Sequence, residues 1–201
     1  MLALAALSAR ALAEAAAREG SRCVALDLFG DADTRRCADE WLPIGEVATM
    51  RIDGERFLAA LDALARRGDT RAWMAGSGFD GRPELLDQGA RRLPLLGTSA
   101  DDVRRVRDPR EFFGVLEAHG IGFPSSSFEP PVEPAGWLVK NAGGCGGWQV
   151  RRATASEVPA PGRYWQRERR GEPMSATFVG NGRDAALLGD EREVLGAAGG
   201  L

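Results

Sequence analysis

The sequence predicts an α/β protein, and two observations carry that prediction. The first 27 residues show a strand, an alanine-rich helix and a second strand, which is the pattern of a βαβ unit in a parallel sheet. Further along, a glycine-rich loop joins two short strands directly, with no helix between them. A chain of 201 residues is long enough for one large domain or two small ones.

The first predicted domain, residues 1–97, alternates strands with helices. Ser8 is expected to cap the first helix and Gly20 to end it. Pro83 suits the first turn of a later helix. The predicted strands cover 2–7, 22–27, 71–75 and 93–97, and the predicted helices cover 9–19, 54–67 and 83–91.

The second predicted domain, residues 98–201, contains helices first and short strands later. A polar helix is expected over 99–107 and a more apolar one over 109–119, followed by a proline- and serine-rich connection over 124–136. The predicted strands cover 136–140, 148–152 and 164–168, and a hairpin joins 175–179 to 184–188.

The composition excludes several classes of protein. Hydrophobic residues make up 44% and charged residues 27%, which fits a folded globular chain rather than a disordered one. A net charge of -3 favours neither nucleic acid nor an acidic membrane as partner, and no apolar run reaches the ~18 residues of a membrane span. Three scattered cysteines match no metal or disulfide pattern, which indicates a reducing, cytoplasmic compartment.

Lys140 is the only lysine among 26 basic residues, and it directly precedes the most glycine-dense stretch of the chain. A compact ammonium group fits a crowded phosphate site in which a planar guanidinium does not. The sequence therefore points to Lys140 as a phosphate-contacting residue. A composition biased towards arginine, with one lysine left over, is the alternative.

Four glycines follow Lys140, and their backbone N–H groups can converge on an oxyanion. These are Gly143, Gly144, Gly146 and Gly147. The lysine precedes the glycines and a strand follows them, so the segment is not a Walker-type phosphate loop, in which the lysine opens a helix. The pattern predicts a flap between two strands that folds over a triphosphate; a flexible hairpin without ligand is the alternative.

Residues 108–189 resemble the central part of an ATP-grasp enzyme. The shared order is a helix beginning at an aspartate, a lysine-ended strand with a glycine flap, a polar strand end and a Gly-Glu-x-x-Ser turn; in this chain they cover 108–124, 140–147, 166–168 and 171–175. Residues 1–97 look like the Rossmann-like domain that precedes ATP-grasp domains, and 98–201 would be the N-terminal and central part of the ATP-grasp domain itself. Residues 8–12 and 26–31 are similar to the predicted ATP-dependent carboligase subgroup.

The resemblance implies a nucleotide site and assigns no catalytic side chain or metal ligand. Lys140 would contact the ATP phosphates under the glycine flap. The strand end Gln166, Arg167 and Glu168 would meet adenine through backbone groups, and Glu172 would accept a hydrogen bond from ribose. The family has a lysine directly after its helix-opening aspartate; here Pro109 stands there, and Arg110 would replace the lysine.

The activity implied by the resemblance is ATP-dependent ligation of a small carboxylate to an amine through an acyl phosphate. The family binds Mg²⁺ through acidic residues in later strands, so the Mg²⁺ ligands are expected beyond Leu201. A non-catalytic nucleotide-binding or interaction protein lacking the metal site is the alternative. The sequence leaves open the acid, the amine and the oligomeric state, a homodimer included.

One other motif competes with this interpretation. Residues 76–81 read G-x-G-x-x-G, and Asp101 follows 20 residues later, which matches a dinucleotide-binding fingerprint. This loop has three interpretations: NAD(P) binding, a tight turn at the sheet edge, and a wall of the substrate site.

Two charged clusters have simpler explanations. The cluster of Asp27, Asp31 and Asp33 predicts a solvated turn or a substrate contact. The arginine band over 151–170 predicts a solvated or phosphate-facing surface rather than a nucleic-acid one.

Overall fold

The structure is a computed structural model that describes residues 1–144, 147, 150–172 and 174–192. The chain forms two compact units. Unit 1 comprises Met1–Ile121 and Ala142–Gly146, and unit 2 comprises Gly122–Asn141 and Gly147–Leu201. The domain boundary expected at residue 97 stays a prediction.

Unit 1 contains a parallel sheet with helices on both faces. Its strands are β1 (Leu2–Ala5), β2 (Cys23–Asp27), β3 (Glu40–Pro43), β4 (Gly45–Glu46), β5 (Arg51–Ile52) and β6 (Ala72–Ala75). Its helices are α1 (Arg10–Arg18), α2 (Ala32–Cys37), α3 (Gly54–Arg67), α4 (Pro83–Ala90), α5 (Ala100–Arg107) and α6 (Pro109–Ala118), with a 3₁₀ turn over Val47–Thr49. The parallel sheet has the order β3-β2-β1-β6, and β4 and β5 form a small antiparallel pair.

Strand alternation divides the core of unit 1 into two clusters, because successive side chains point to opposite faces of a sheet. Ala3, Ala5, Val24 and Leu26 belong to the larger cluster, and the intervening Leu4 and Ala25 belong to the smaller one against α1. The larger cluster is centred on three aromatic rings. These are Phe57, Trp73 and Phe79, with ring centroids 5.1 to 5.6 Å apart in edge or tilted contacts.

The direction of the strand order reverses at β1. The chain passes outward from β1 to β2 and β3, and then returns to place β6 on the other side of β1. In open parallel sheets such a reversal leaves a crevice outside the carboxyl ends of the two strands. In unit 1 these ends are Ala5 and Ala75.

Unit 2 is antiparallel in its described part. Its strands are β7 (Ser126–Ser127), β8 (Trp137–Asn141), β9 (Arg151–Arg152), β10 (Arg163–Arg167), β11 (Met174–Gly180) and β12 (Ala185–Arg192). The first four form a sheet in the order β7-β10-β8-β9, and the last two form a separate hairpin. Trp165 and Val139 pair across β10 and β8 and are buried.

The α/β class is confirmed, and the strongly patterned elements lie where they are predicted. Helix α3 covers the predicted 54–67, begins at the Asp53 cap and ends at Gly68, whose φ of 73° is left-handed. The expected cap at Ser8 is wrong: α1 begins after Ala9, whose N–H donates to the Asp27 carboxylate at 2.9 Å. Helix α2 and the short strands β3, β4, β5 and β7 are absent from the predictions.

None of the described helices combines the length and the apolar composition that crossing a bilayer requires.

Candidate functional site

The ammonium group of Lys140 lies in a polar chain that crosses the sheet of unit 2. Lys140 Nζ donates to Gln166 Oε1 at 2.7 Å, and Gln166 Nε2 donates to Ser126 Oγ at 3.2 Å. The Ser126 hydroxyl in turn donates to the carbonyl of Pro124 at 3.0 Å. The antiparallel register explains this chain, because Gln166 is paired with Leu138, two residues from Lys140, and with Ser126 on the other side.

Burial and partner chemistry make Lys140 receptive to an anion. Burial lowers the pKa of the Lys140 ammonium below its ordinary value of 10.5. Within the described residues no carboxylate lies within ion-pair distance of Nζ; its partner is the neutral amide of Gln166. A half-buried cation with a neutral partner gains from an incoming phosphate, so these residues fit a polyphosphate ligand.

The predicted adenine-contacting segment lies at the end of β10, and its side chains diverge. Gln166 shares a sheet face with Lys140, whereas Arg167 lies on the opposite face, with its guanidinium 4.9 Å from the centroid of the Trp137 ring. Glu168 forms an ion pair with Arg152 at 3.4 Å.

Two backbone donors of this segment are already engaged. The N–H of Arg167 donates to the carbonyl of Ser125 at 2.8 Å, and the N–H of Glu168 donates to the carbonyl of Gly136 at 2.9 Å. An adenine ring at this strand end therefore has to use other backbone groups of the segment.

The start of the glycine loop belongs to unit 1. The carbonyl of Gly144 accepts a hydrogen bond from the Arg107 guanidinium at the end of α5. A Cβ added to Gly81 would lie 3.1 Å from the carbonyl oxygen of Gly143, so the loop also lies close against the 76–81 turn. Gly147 has a left-handed φ of 74°, and Gly146 lies outside the described residues.

Arg110 and Glu172 complete the set of predicted site residues. Arg110 is exposed in the first turn of α6, where its N–H donates to the capping Asp108 at 2.7 Å. Glu172 is exposed in the connection between β10 and β11. The structure thus brings Lys140, Gln166 and Glu168 to one strand pair in unit 2 and places Arg110 in unit 1.

Asp27 corrects the expectation of a solvated turn. Its side chain is fully buried, and its carboxylate accepts hydrogen bonds from three backbone N–H groups and from the indole N–H of Trp41. The backbone donors are Ala9, Phe29 and Gly30, at 2.9 to 3.0 Å. Asp31 instead caps α2 by accepting from the Thr34 N–H at 2.8 Å, so the aspartates here organise the chain itself.

The glycines of the 76–81 loop are explained by packing against the protein. A Cβ on Gly76 would lie 2.9 Å from the Cβ of Ala6, and a Cβ on Gly78 would lie 2.7 Å from Leu7 Cγ. In a dinucleotide fingerprint the second glycine makes room for a pyrophosphate, whereas here the space beside Gly78 holds a leucine. Asp101 is an exposed residue of α5 paired with Arg104 at 2.7 Å. Both observations weigh against NAD(P) binding.

The described part of the chain shows no cluster of metal-ligating side chains. Nowhere in that part of the chain do three or more His, Cys, Asp or Glu side chains come together as metal ligands. No chemical step is therefore assigned to a metal held by these residues.

Sequence reasoning missed two contacts of the predicted residues, that of Ser126 with Gln166 and that of Arg107 with Gly144. Ser126 lies in the stretch expected to be a connection, and only the pairing of β7 with β10 brings it to Gln166. Arg107 is one of many arginines on a polar helix, and nothing in the sequence links it to Gly144, 37 residues away. Long-range pairing supplied both contacts.

Neither a protein-family profile nor a curated protein matches this chain. Solved structures do. A biotin carboxylase from Campylobacter jejuni in complex with β,γ-ATP matches 95% of this chain and 50% of its own, with 14% identity and a TM-score of 0.71. An L-amino acid ligase from Bacillus licheniformis matches with the same coverage and identity and a TM-score of 0.67.

A third solved structure is the N5-carboxyaminoimidazole synthase from Aspergillus clavatus in complex with ADP and 5-aminoimidazole ribonucleotide. It matches 98% of this chain and 54% of its own, with 12% identity and a TM-score of 0.68. The chain thus spans about half the length of these proteins, and at this identity the likeness concerns the fold. Membership of the carboligase subgroup stays a prediction. Over the part it shares with these enzymes, the chain has the ATP-grasp fold.

Proposed function

We propose that this chain binds ATP through Lys140 and the glycine loop. The chain is then either a ligase that joins a carboxylate to an amine at the expense of ATP, or the nucleotide-binding portion of such a ligase. One observation carries the proposal. The only lysine of the chain is half-buried, has a neutral amide as its partner, and stands directly before the glycine loop. The ATP-grasp fold of the chain supports it.

Different residues would contact the phosphates, the adenine and the ribose of ATP. Lys140 would contact phosphate oxygens, and the backbone N–H groups of Gly143, Gly144, Gly146 and Gly147 would close over the β- and γ-phosphates. Backbone groups of the Gln166, Arg167 and Glu168 segment would meet adenine, and Glu172 would accept from a ribose hydroxyl. Arg110 would add positive charge near the phosphates.

The proposed reaction joins two small molecules in two displacements. A carboxylate oxygen attacks the γ-phosphorus and ADP leaves; the amine nitrogen then attacks the acyl carbon and inorganic phosphate leaves. Such transfers depend mainly on positioning and on neutralising phosphate charge. Lys140 and the loop amides would supply the part of that neutralisation that this chain contributes.

The first prediction concerns ATP affinity. Lys140→Ala is expected to weaken binding of a non-hydrolysable ATP analogue at least about 100-fold in calorimetry. The variant removes the half-buried ammonium group that would contact the phosphates. Arg183→Ala, in the exposed turn between β11 and β12, is the matched control and should bind as wild type does. Equal affinity in wild type and Lys140→Ala would count decisively against the site.

Two further measurements separate the alternatives. ADP release that depends on both an added carboxylate and an added amine supports a ligase, whereas ATP binding without such release indicates a nucleotide-binding portion. Protection of the fold by NADH and not by ATP would instead favour a dinucleotide site at the 76–81 loop.

A further inference from the structure

Unit 1 contains a cavity of about 350 Å³ that the nucleotide proposal does not use. It is lined by Leu86 of α4 and Val103 of α5. The buried ring of Phe79 and the half-buried side chain of Leu95 also line it. These side chains give it an apolar floor. Its volume lies at the lower end of the range for small-molecule sites, which is roughly 300–1,000 Å³.

The cavity lies at the edge of the parallel sheet where its strands end. Ala75 and Gly76, at the carboxyl end of β6, form part of its wall. Leu95 also lines it and pairs with Trp73 of β6 in an isolated bridge, on the side of β6 away from β1. In open parallel sheets, ligands bind outside the carboxyl ends of the strands.

The polar groups of the cavity carry both signs of charge. The lining residues include two exposed aspartates, Asp80 and Asp102, and the half-buried Arg107. The Asp102 carboxylate accepts from the Ser99 hydroxyl at 2.7 Å. The Arg107 guanidinium donates through Nη2 to the carbonyl of Gly144, whereas its Nε is buried and has no hydrogen-bond acceptor within the described part of the chain. A buried donor in that state favours an incoming acceptor.

We propose that this cavity binds a small zwitterionic amino acid with an apolar side chain. The ligand carboxylate would supply an acceptor to the Arg107 guanidinium, the ammonium would face Asp80 and Asp102, and the side chain would cover the apolar floor. A ligand with a carboxylate alone would meet two like charges, and one with an ammonium alone would meet the guanidinium. The inference rests on the proposed function only in identifying this ligand with the acid or amine that is ligated.

The test is a chemical-shift titration of the isotope-labelled chain with L-leucine, isocaproate and isoamylamine, with and without a non-hydrolysable ATP analogue. Isocaproate lacks the ammonium of leucine, and isoamylamine lacks its carboxylate. Leucine is expected to bind about 10-fold more tightly than either, because only leucine satisfies both signs of charge.

Three variants locate the binding. Val106 lines the cavity and is 60% exposed, so Val106→Trp should fill the entrance without disturbing the core, and leucine binding should be lost. Arg107→Gln should weaken leucine about 10-fold. Arg105→Gln, on the same helix and paired with Glu111 at 3.7 Å, is the matched control and should bind as wild type does.

Three results would overturn the inference: no leucine shifts up to about 10 mM, binding that survives Val106→Trp, or equal affinity for leucine and either analogue. Calorimetry with the ATP analogue on the same samples distinguishes failure of the amino-acid site from failure of the proposed ATP binding. Loss of leucine binding with intact ATP binding removes the amino-acid site alone, whereas absent ATP binding removes the nucleotide proposal whatever leucine does.

Discussion

Asp27 in unit 1 and Lys140 in unit 2 each place a charge at a strand end, and their surroundings differ. Asp27 ends β2, is inaccessible to solvent, and accepts four hydrogen bonds from the protein. Lys140 lies near the end of β8, is half-buried, and has the neutral amide of Gln166 as its hydrogen-bond partner. A charge surrounded by donors stabilises the fold, whereas a cation with a neutral partner is available to a ligand.

The comparison predicts the largest loss of stability for Asp27→Asn. The variant removes the charge and turns an amide towards N–H donors, so the free energy of unfolding should fall by about 3 kcal/mol in urea titrations. Asp33→Asn is the matched control, because the Asp33 side chain is 46% exposed on α2 and pairs with Arg36 at 2.9 Å; it should change stability by at most about 0.5 kcal/mol. Similar losses in the two variants would remove the distinction drawn for Asp27.

Glu157 tests the same rule within unit 2. Its side chain is 4% exposed and accepts from the guanidinium of Arg151 and from the N–H and hydroxyl of Thr154. These hydrogen bonds hold the pKa of Glu157 at about 2, below its ordinary value of 4.5. The stabilisation is present above pH 4.5 and is lost as pH falls towards 2.

Glu157→Gln should therefore lower the free energy of unfolding by about 2 kcal/mol near neutral pH, since Arg151 is itself half-exposed. The difference from wild type should disappear as pH approaches 2. Glu133→Gln, an exposed glutamate of unit 2, serves as control. A difference that stays constant with pH would show that packing rather than charge explains the loss.

Lys140→Met should have the smallest effect, and of opposite sign. Removing a half-buried charge with a neutral partner is expected to leave stability unchanged or to raise it by up to about 1 kcal/mol near neutral pH. Because burial lowers the pKa of Lys140, the unfolded chain holds this proton more tightly, and wild-type stability should rise as pH passes through the window between the lowered pKa and 10.5. The variant should lack that rise; a clear destabilisation by Lys140→Met at neutral pH would make Lys140 a structural residue.

Part of the fold could be predicted because its signals are local. Helix α3 combines a capping aspartate, an apolar face through Phe57, Leu61 and Leu64, and a terminal glycine. Helix α2, with six polar or small residues, offers no such periodicity, so the sequence does not predict it. The sequence predicts a solvated turn or a substrate contact at Asp27 because no local pattern shows that backbone N–H groups from two segments and an indole converge on it.

Within the candidate site, the sequence singles out Lys140 because it is the only lysine and adjoins the glycines; its contact with phosphate stays a prediction. The contact of Gln166 with Ser126 spans 40 residues, and the contact of Arg107 with Gly144 spans 37. Neither contact can be recognised from residue type or spacing. The cavity beside β6 depends in the same way on helices that pack together only in the folded unit.

The sequence alone determined the alternation of strands and helices in the first part of the chain, the apolar face of α3, and the lysine–glycine segment, because each is visible in the spacing of near neighbours. Tertiary structure decided which charges are surrounded by donors, as for Asp27, and which have a neutral partner in the described part of the chain, as for Lys140. That decision rests on strand register and strand order, which bring together side chains from distant parts of the chain.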